Sequence, residues 1–133
     1  MPNEWKFKID LANENMFDKI EKQRNIKFPE ELKALIRLFN GAVPSGQLFM
    51  AGVTENVFGE MLSFNENETE TDSVETVLDV IQDQFLIPFA ADPFGNYICY
   101  DTDKKLVVFW EHETNEIIST DKGLKEFIDS LYW

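Results

Sequence analysis

Catalysis needs nucleophiles, bases or metal ligands at workable spacing, and this sequence offers few. Its one cysteine, Cys99, and one histidine, His112, are too few for a Cys/His zinc site. As a thiolate–imidazole pair they are conceivable, but Cys99 lies inside the aromatic run NYICY, which reads as a buried apolar thiol. Carboxylates are plentiful, yet neither DPFGNYICYD nor ENETETD follows the calcium-loop pattern D-x-[DN]-x-[DN]-G-x-x-x-x-x-E. The phosphate-cradling patterns G-x-x-x-x-G-K-[ST] and G-x-G-x-x-G are absent. A glycosidase would need two opposed carboxylates, and nothing singles out two among the many available. The aromatic residues Phe89, Tyr97, Tyr100, Phe109 and Trp110 are most simply sheet core. The sequence therefore predicts no catalytic residue, no metal site and no cofactor, and a protein that acts by binding.

What it would bind is suggested by charge. Residues 66–85, ENETETDSVETVLDVIQDQF, carry seven acids (Glu66, Glu68, Glu70, Asp72, Glu75, Asp79 and Asp83) and no base. Residues 1–37 hold seven acids and eight bases, and residues 104–133 hold six and four, whereas residues 38–103 hold twelve acids and no Lys or Arg. Nearly all of the formal net charge of −13 thus belongs to the middle of the chain. Such a field repels nucleic acid and anionic lipid, and it attracts basic proteins. Acidity by itself can serve solubility alone. On a helix over 73–84, however, Glu75, Asp79 and Asp83 would form a row at i, i+4, i+8, opposite the apolar face. Like charges at that spacing cost about 0.2–0.5 kcal/mol per pair. Asp83 would also oppose the dipole at the helix C-terminus. A row maintained against its own electrostatics, continuous with an acidic loop, points to a basic partner. The candidate contact set is Glu66, Glu68, Glu70, Glu75, Asp79 and Asp83, with Asp72 shared between contact and capping.

The elements that must position these groups can be read from periodicity. Helices are predicted over about 13–24 (Met16, Phe17, Ile20), from Pro29 to a left-handed cap at Asn40-Gly41, over 73–84, and from Asp121 to Tyr132. Asp72 or Ser73 can cap the third, with Glu75 reciprocating toward Asp72. Strand-like runs lie between them: QLFMAG, ENVFGEMLSF, LIPFA, NYICYD, LVVFWEHE and EIIST. Turn chemistry at DPFGN, DTDKK and Asn115 joins the last four into hairpins. The expected class is α+β, a twisted antiparallel sheet with packed helices in one domain over residues 1–133. No apolar run reaches the ~20 residues of a membrane span. The start of the chain has no apolar signal core, and an unpaired cysteine suits a reducing compartment. A cytoplasmic location is expected.

Two stretches carry a resemblance to a known family. IKFPEELKALIRLFNGAVP (26–44) resembles the entry segment of the SUKH superfamily, a Pro-initiated helix ending in an Asn-Gly turn. LIPFAADPFGNYICYD followed by LVVFWEHE (86–113) is similar to its most recognisable block. Pro88, Phe89, Ala90, Asp92, Gly95, Asn96, Asp101, Trp110, His112 and Glu113 carry that match. Ala42 departs from it, since a second glycine is common after Asn-Gly. The resemblance implies the same α+β fold and no catalysis. It implies one of two roles: a bacterial immunity protein (antitoxin) that neutralises a cognate toxin domain, often a nuclease, or a regulatory domain of the fungal cell-wall synthesis branch, the Smi/Knr type. In this reading the matched residues are fold determinants, and His112 is a hydrogen-bonded strand-end histidine.

Overall fold

The computed structural model describes residues 3–133. In chain order the elements are β1 (Trp5–Lys6), α1 (Asn15–Arg24), α2 (Glu30–Phe39), β2 (Val43–Pro44), β3 (Leu48–Ala51), β4 (Thr54–Val57) and β5 (Glu60–Met61). They continue with α3 (Val74–Val80), β6 (Leu86–Ala91), β7 (Tyr97–Asp101), β8 (Leu106–Trp110), β9 (Ile117–Ser119) and α4 (Leu124–Ser130). Strands β5 to β9 form one antiparallel sheet in sequential order, and β1–β2 and β3–β4 form two small antiparallel ribbons. The class is α+β, as the alternation of patterns predicts.

Short turns dictate β6 to β9, because consecutive strands joined by four to six residues fold back on themselves, while β5 reaches β6 only through the segment that holds α3. The fully buried β6, LIPFAA, lies between β5 and β7. Pro88 has no amide hydrogen to give a ladder, and the β6–β7 register slips between Pro88 and Ala90. The bulge leaves Phe89 out of that pairing but fully buried, with its carbonyl accepting from Leu62 N at 2.9 Å.

Phenylalanines fill the space between sheet, ribbons and helices. Phe17, Phe28 and Phe64 form one aromatic group, and Phe49, Phe58, Phe109 and Phe127 form another. Asn40, fully buried at the end of α2, joins three segments. Its Nδ2 donates to Ile9 O (3.0 Å) and Ser63 Oγ (3.3 Å), and its Oδ1 accepts from Phe64 N (2.7 Å).

α3 and α4 are shorter than their apolar stripes, and the other predicted bounds shift by a few residues. Pro29 is the residue before α2, with extended ψ, rather than its first helical residue. The left-handed position after α2 is Gly41 (φ 69°), while Asn40 keeps φ −51°. The predicted strand 106–113 stops at Trp110, because Asn115 N bonds back to Glu111 O and closes a turn.

The main departure is α3, expected over 73–84 and observed only over Val74–Val80. Ile81 still extends the buried stripe, but Phe85 is 45% exposed. The helix ends where Arg24, the last residue of α1, inserts its guanidinium and bonds the carbonyls of Leu78 (3.1 Å), Ile81 and Asp83 (2.5 Å). Carbonyls that a longer helix would satisfy internally are thus taken by a side chain from another element. Asp83 accordingly lies on the turn after α3, and the expected three-carboxylate helical row reduces to Glu75 and Asp79.

Candidate protein-binding surface

The acidic stretch folds as a loop (65–73) that meets α3 at a bridge between Ser63 and Ser73. Ser63 N donates to Asp72 O (2.9 Å) and Val74 N to Ser63 O (3.0 Å), so the loop closes on itself before the helix begins. Ser73 is the N-cap, its Oγ accepting from Glu75 N at 3.1 Å. Asp72 is therefore not the cap, and the reciprocal cap from Glu75 to Asp72 does not form. Glu75 Oε1 instead accepts from Asn67 N (2.7 Å), holding Asn67 in the left-handed region at φ 57°.

Three further acids of the stretch are engaged within the molecule. Glu68 organises the loop from inside, accepting from Ser63 Oγ (2.7 Å), Asn65 Nδ2 (3.2 Å) and the amides of Thr69 and Glu70. These bonds, the Ser63 hydroxyl foremost, hold its carboxyl below the usual glutamate range. Glu66 pairs with Lys19 and accepts from Asn15 Nδ2, which ties the loop to α1. The Lys19 bond lowers the Glu66 pKa and raises that of Lys19. Asp83 Oδ1 accepts from Phe85 N (2.9 Å), forming the turn into β6.

Glu70, Asp72 and Asp79 remain. All three are exposed, and their carboxylates have no hydrogen-bond or ion-pair partner among the described residues. A cleft of about 330 Å³ brings Glu68, Glu75 and Asp79 to one side of α3. A second cleft, about 450 Å³, separates α3 from the end of α1 and is lined by Gln23, Arg24, Asp79 and Gln82. The candidate set thus divides by job: Glu66, Glu68, Glu75 and Asp83 shape the loop and its exits, while Glu70, Asp72 and Asp79 offer free charge.

The similarity block forms a second polar network, at the β6–β7 turn. Asp92 Oδ1 accepts from Phe94 N and Asn96 N, and Oδ2 from Asn96 Nδ2, all at 2.8 Å. Asn96 Oδ1 in turn accepts from His112 N (3.1 Å) and lies 2.9 Å from His112 Nδ1. Gly95 takes φ 89°, and a Cβ there would lie 3.4 Å from the His112 ring. Trp110 Nε1 donates to Asn115 Oδ1 at 2.8 Å. These bonds join two hairpins, and His112 is hydrogen-bonded as expected, although it stands in the turn after β8 and not in the strand. Cys99 lies mid-strand opposite Val108, away from that histidine, and burial pushes its thiol far up.

Among the described residues, no group of three His, Cys, Asp or Glu side chains is placed to share a metal ion. No helix among the described residues is long and apolar enough to cross a membrane. Sequence reading missed Arg24, whose only signal was a basic residue in the last turn of α1. It also missed the convergence of Val80, Trp110 and Ile117, which belong to three elements and share no sequence signal.

The chain thus folds as an α+β domain with a hairpin-locked antiparallel sheet and an acidic stretch on its α3 side. The chain belongs to the SMI1 / KNR4 family (SUKH-1), whose profile matches residues 11–130. The resemblance carried by residues 26–44 and 86–113 is thereby borne out. The chain is also similar to the SPbeta prophage-derived uncharacterized protein YokK of Bacillus subtilis (strain 168), with 32% identity over 66 residues. That match covers 44% of this chain and 34% of the relative, so it spans about a third of the relative's length. No solved structure matches the chain significantly.

Proposed function

We propose that this domain is a non-enzymatic immunity protein that binds and neutralises a cognate bacterial toxin domain with a basic surface, such as a nuclease. The observation that carries the reading is the set of unpaired carboxylates, Glu70, Asp72 and Asp79, on a loop and helix whose neighbouring acids are fixed by internal bonds. A surface of preset geometry and one sign of charge loses little order on binding, and it steers cationic partners. Nuclease domains hold phosphate with Lys and Arg, so an acidic antidote can occupy the surface the substrate needs. Family membership and similarity to a protein named as prophage-derived, in a bacterium, support the bacterial role over the fungal regulatory one. The immunity reading also places the protein in the cytoplasm, where an incoming nuclease acts.

The test is co-expression with the toxin gene expected beside this one, scored as cell survival. Replacing Glu70, Asp72 and Asp79 by lysine should leave the fold intact, since none of their carboxylates supports it. Association with the purified toxin should slow by roughly tenfold or more at low salt. An unchanged rate, with unchanged salt dependence, would remove this surface from the interface.

A further inference from the structure

Beside the acidic flank, the end of α3 and the start of β9 enclose a notch of about 290 Å³. It is lined by Val80, Ile81, Gln82 and Asp83 from the end of α3 and the turn after it, and by Trp110, Asn115 and Ile117 from the sheet. The register explains the sheet side: Tyr97, Trp110 and Ile117 are direct cross-strand neighbours on β7, β8 and β9, so their side chains share one face. Trp110 is only 6% exposed, whereas Val80 and Ile117 are 52% and 46% exposed. The volume is just below the ~300–1,000 Å³ of small-molecule pockets, which favours a single protruding side chain over a metabolite. Asp83 spends one carboxylate oxygen on Phe85 N, leaving the other free of partners among the described residues. The one nearby guanidinium, that of Arg24, is buried and spends its terminal nitrogens on backbone carbonyls.

We propose that this notch receives an arginine side chain of the basic partner. Its aliphatic stem would lie between Val80 and Ile117 over the Trp110 edge, and its guanidinium would meet the Asp83 carboxylate. Arginine suits both halves of the site, because its flat, weakly hydrated fork packs against aromatic and aliphatic surface while bonding carboxylates. Trp110 is locked by Asn115 and Asp83 by its turn, so the pocket is set before binding, as an anchor site should be. The assignment rests on the protein-binding reading above and deepens it: Glu70, Asp72 and Asp79 supply attraction over distance, and the notch supplies the buried contact.

The probe is N-acetyl-arginine amide, with N-acetyl-citrulline amide as its uncharged analogue, followed by NMR on the intact chain. Arginine amide should give saturable millimolar shifts of the Trp110 indole N–H and the Val80 and Ile117 methyls, with citrulline binding roughly tenfold weaker. Asp83→Asn keeps an acceptor for Phe85 N and should reduce arginine binding to the citrulline level. Equal binding of the two probes would overturn the assignment. So would shifts confined to Glu70, Asp72 and Asp79, or no saturable shift at Trp110. In the survival assay, Ile117→Lys should abolish protection while the wild type protects. Protection by both would remove the notch and leave the immunity reading standing. Failure of the wild type itself would count against immunity, whatever the NMR titration showed.

Discussion

Replacing Arg24 tests the cross-element clamp that ends α3. Arg24 is 5% exposed, and its guanidinium donates to Leu78 O, Ile81 O and Asp83 O. Hydrogen bonds from a charged donor contribute about 1.5–3 kcal/mol each, but the adjoining cleft admits water to the freed carbonyls. About 1 kcal/mol per carbonyl is then a fair net value, or roughly 3 kcal/mol for Arg24→Ala. Against this stands the cost of desolvating the guanidinium, which lowers its pKa, and of burying Nε with no partner. Arg24→Met separates the two contributions, because it keeps the buried stem and removes both the charge and the donors. With a urea m-value of about 2 kcal/mol/M, both variants should lower the unfolding midpoint by roughly 1.5 M. Hydrogen exchange should locate the loss, with amides of the last α3 turn, such as Ile81 N, exchanging about a hundredfold faster. A Met variant as stable as the wild type would refute the clamp and assign the effect of Ala to lost packing.

Three other outcomes follow from the polar networks and from the buried thiol. Asp92→Ala removes an acceptor of three bonds and should cost about 2 kcal/mol in urea unfolding, with the His112 ring resonances shifting as Asn96 is released. Glu14, Glu66 and Glu68 have folded pKa values lowered, first by Arg37, Lys19 and Ser63 respectively, so on acidification the unfolded chain takes up protons before the folded one. Their contribution is complete above the unfolded glutamate value of about 4.3 and is lost as pH falls through the lower folded values, so the urea midpoint should drop below about pH 4, and less steeply in Glu68→Gln. Cys99, buried and with its thiol pKa raised by that burial, should resist a disulfide reagent at pH 8 in the native state and react only on unfolding; rapid labelling of the folded chain would contradict its placement.

The sequence alone determined the elements whose signals are local. Alternating aromatic and branched runs separated by DPFGN and DTDKK specify hairpins, because a short turn leaves a strand only its neighbour to pair with. The similarity block was legible for the same reason, since Asp92, Gly95 and Asn96 act within one turn. Charge segregation was legible too, because it is a property of composition. Which carboxylates are free was not. Glu66 and Glu70 look alike in the string ENETETD, but Lys19 lies 47 positions from Glu66 and meets it only when α1 packs against the loop. The length of α3 was also decided in three dimensions: its apolar stripe reads on to Phe85, and a guanidinium from α1 takes the carbonyls that would have continued it. The notch of Val80, Trp110 and Ile117 depends on the same long-range packing. Local spacing fixes what a segment can form. Where it stops, and which of its charges remain unanswered, depends on groups that only the closed chain brings together.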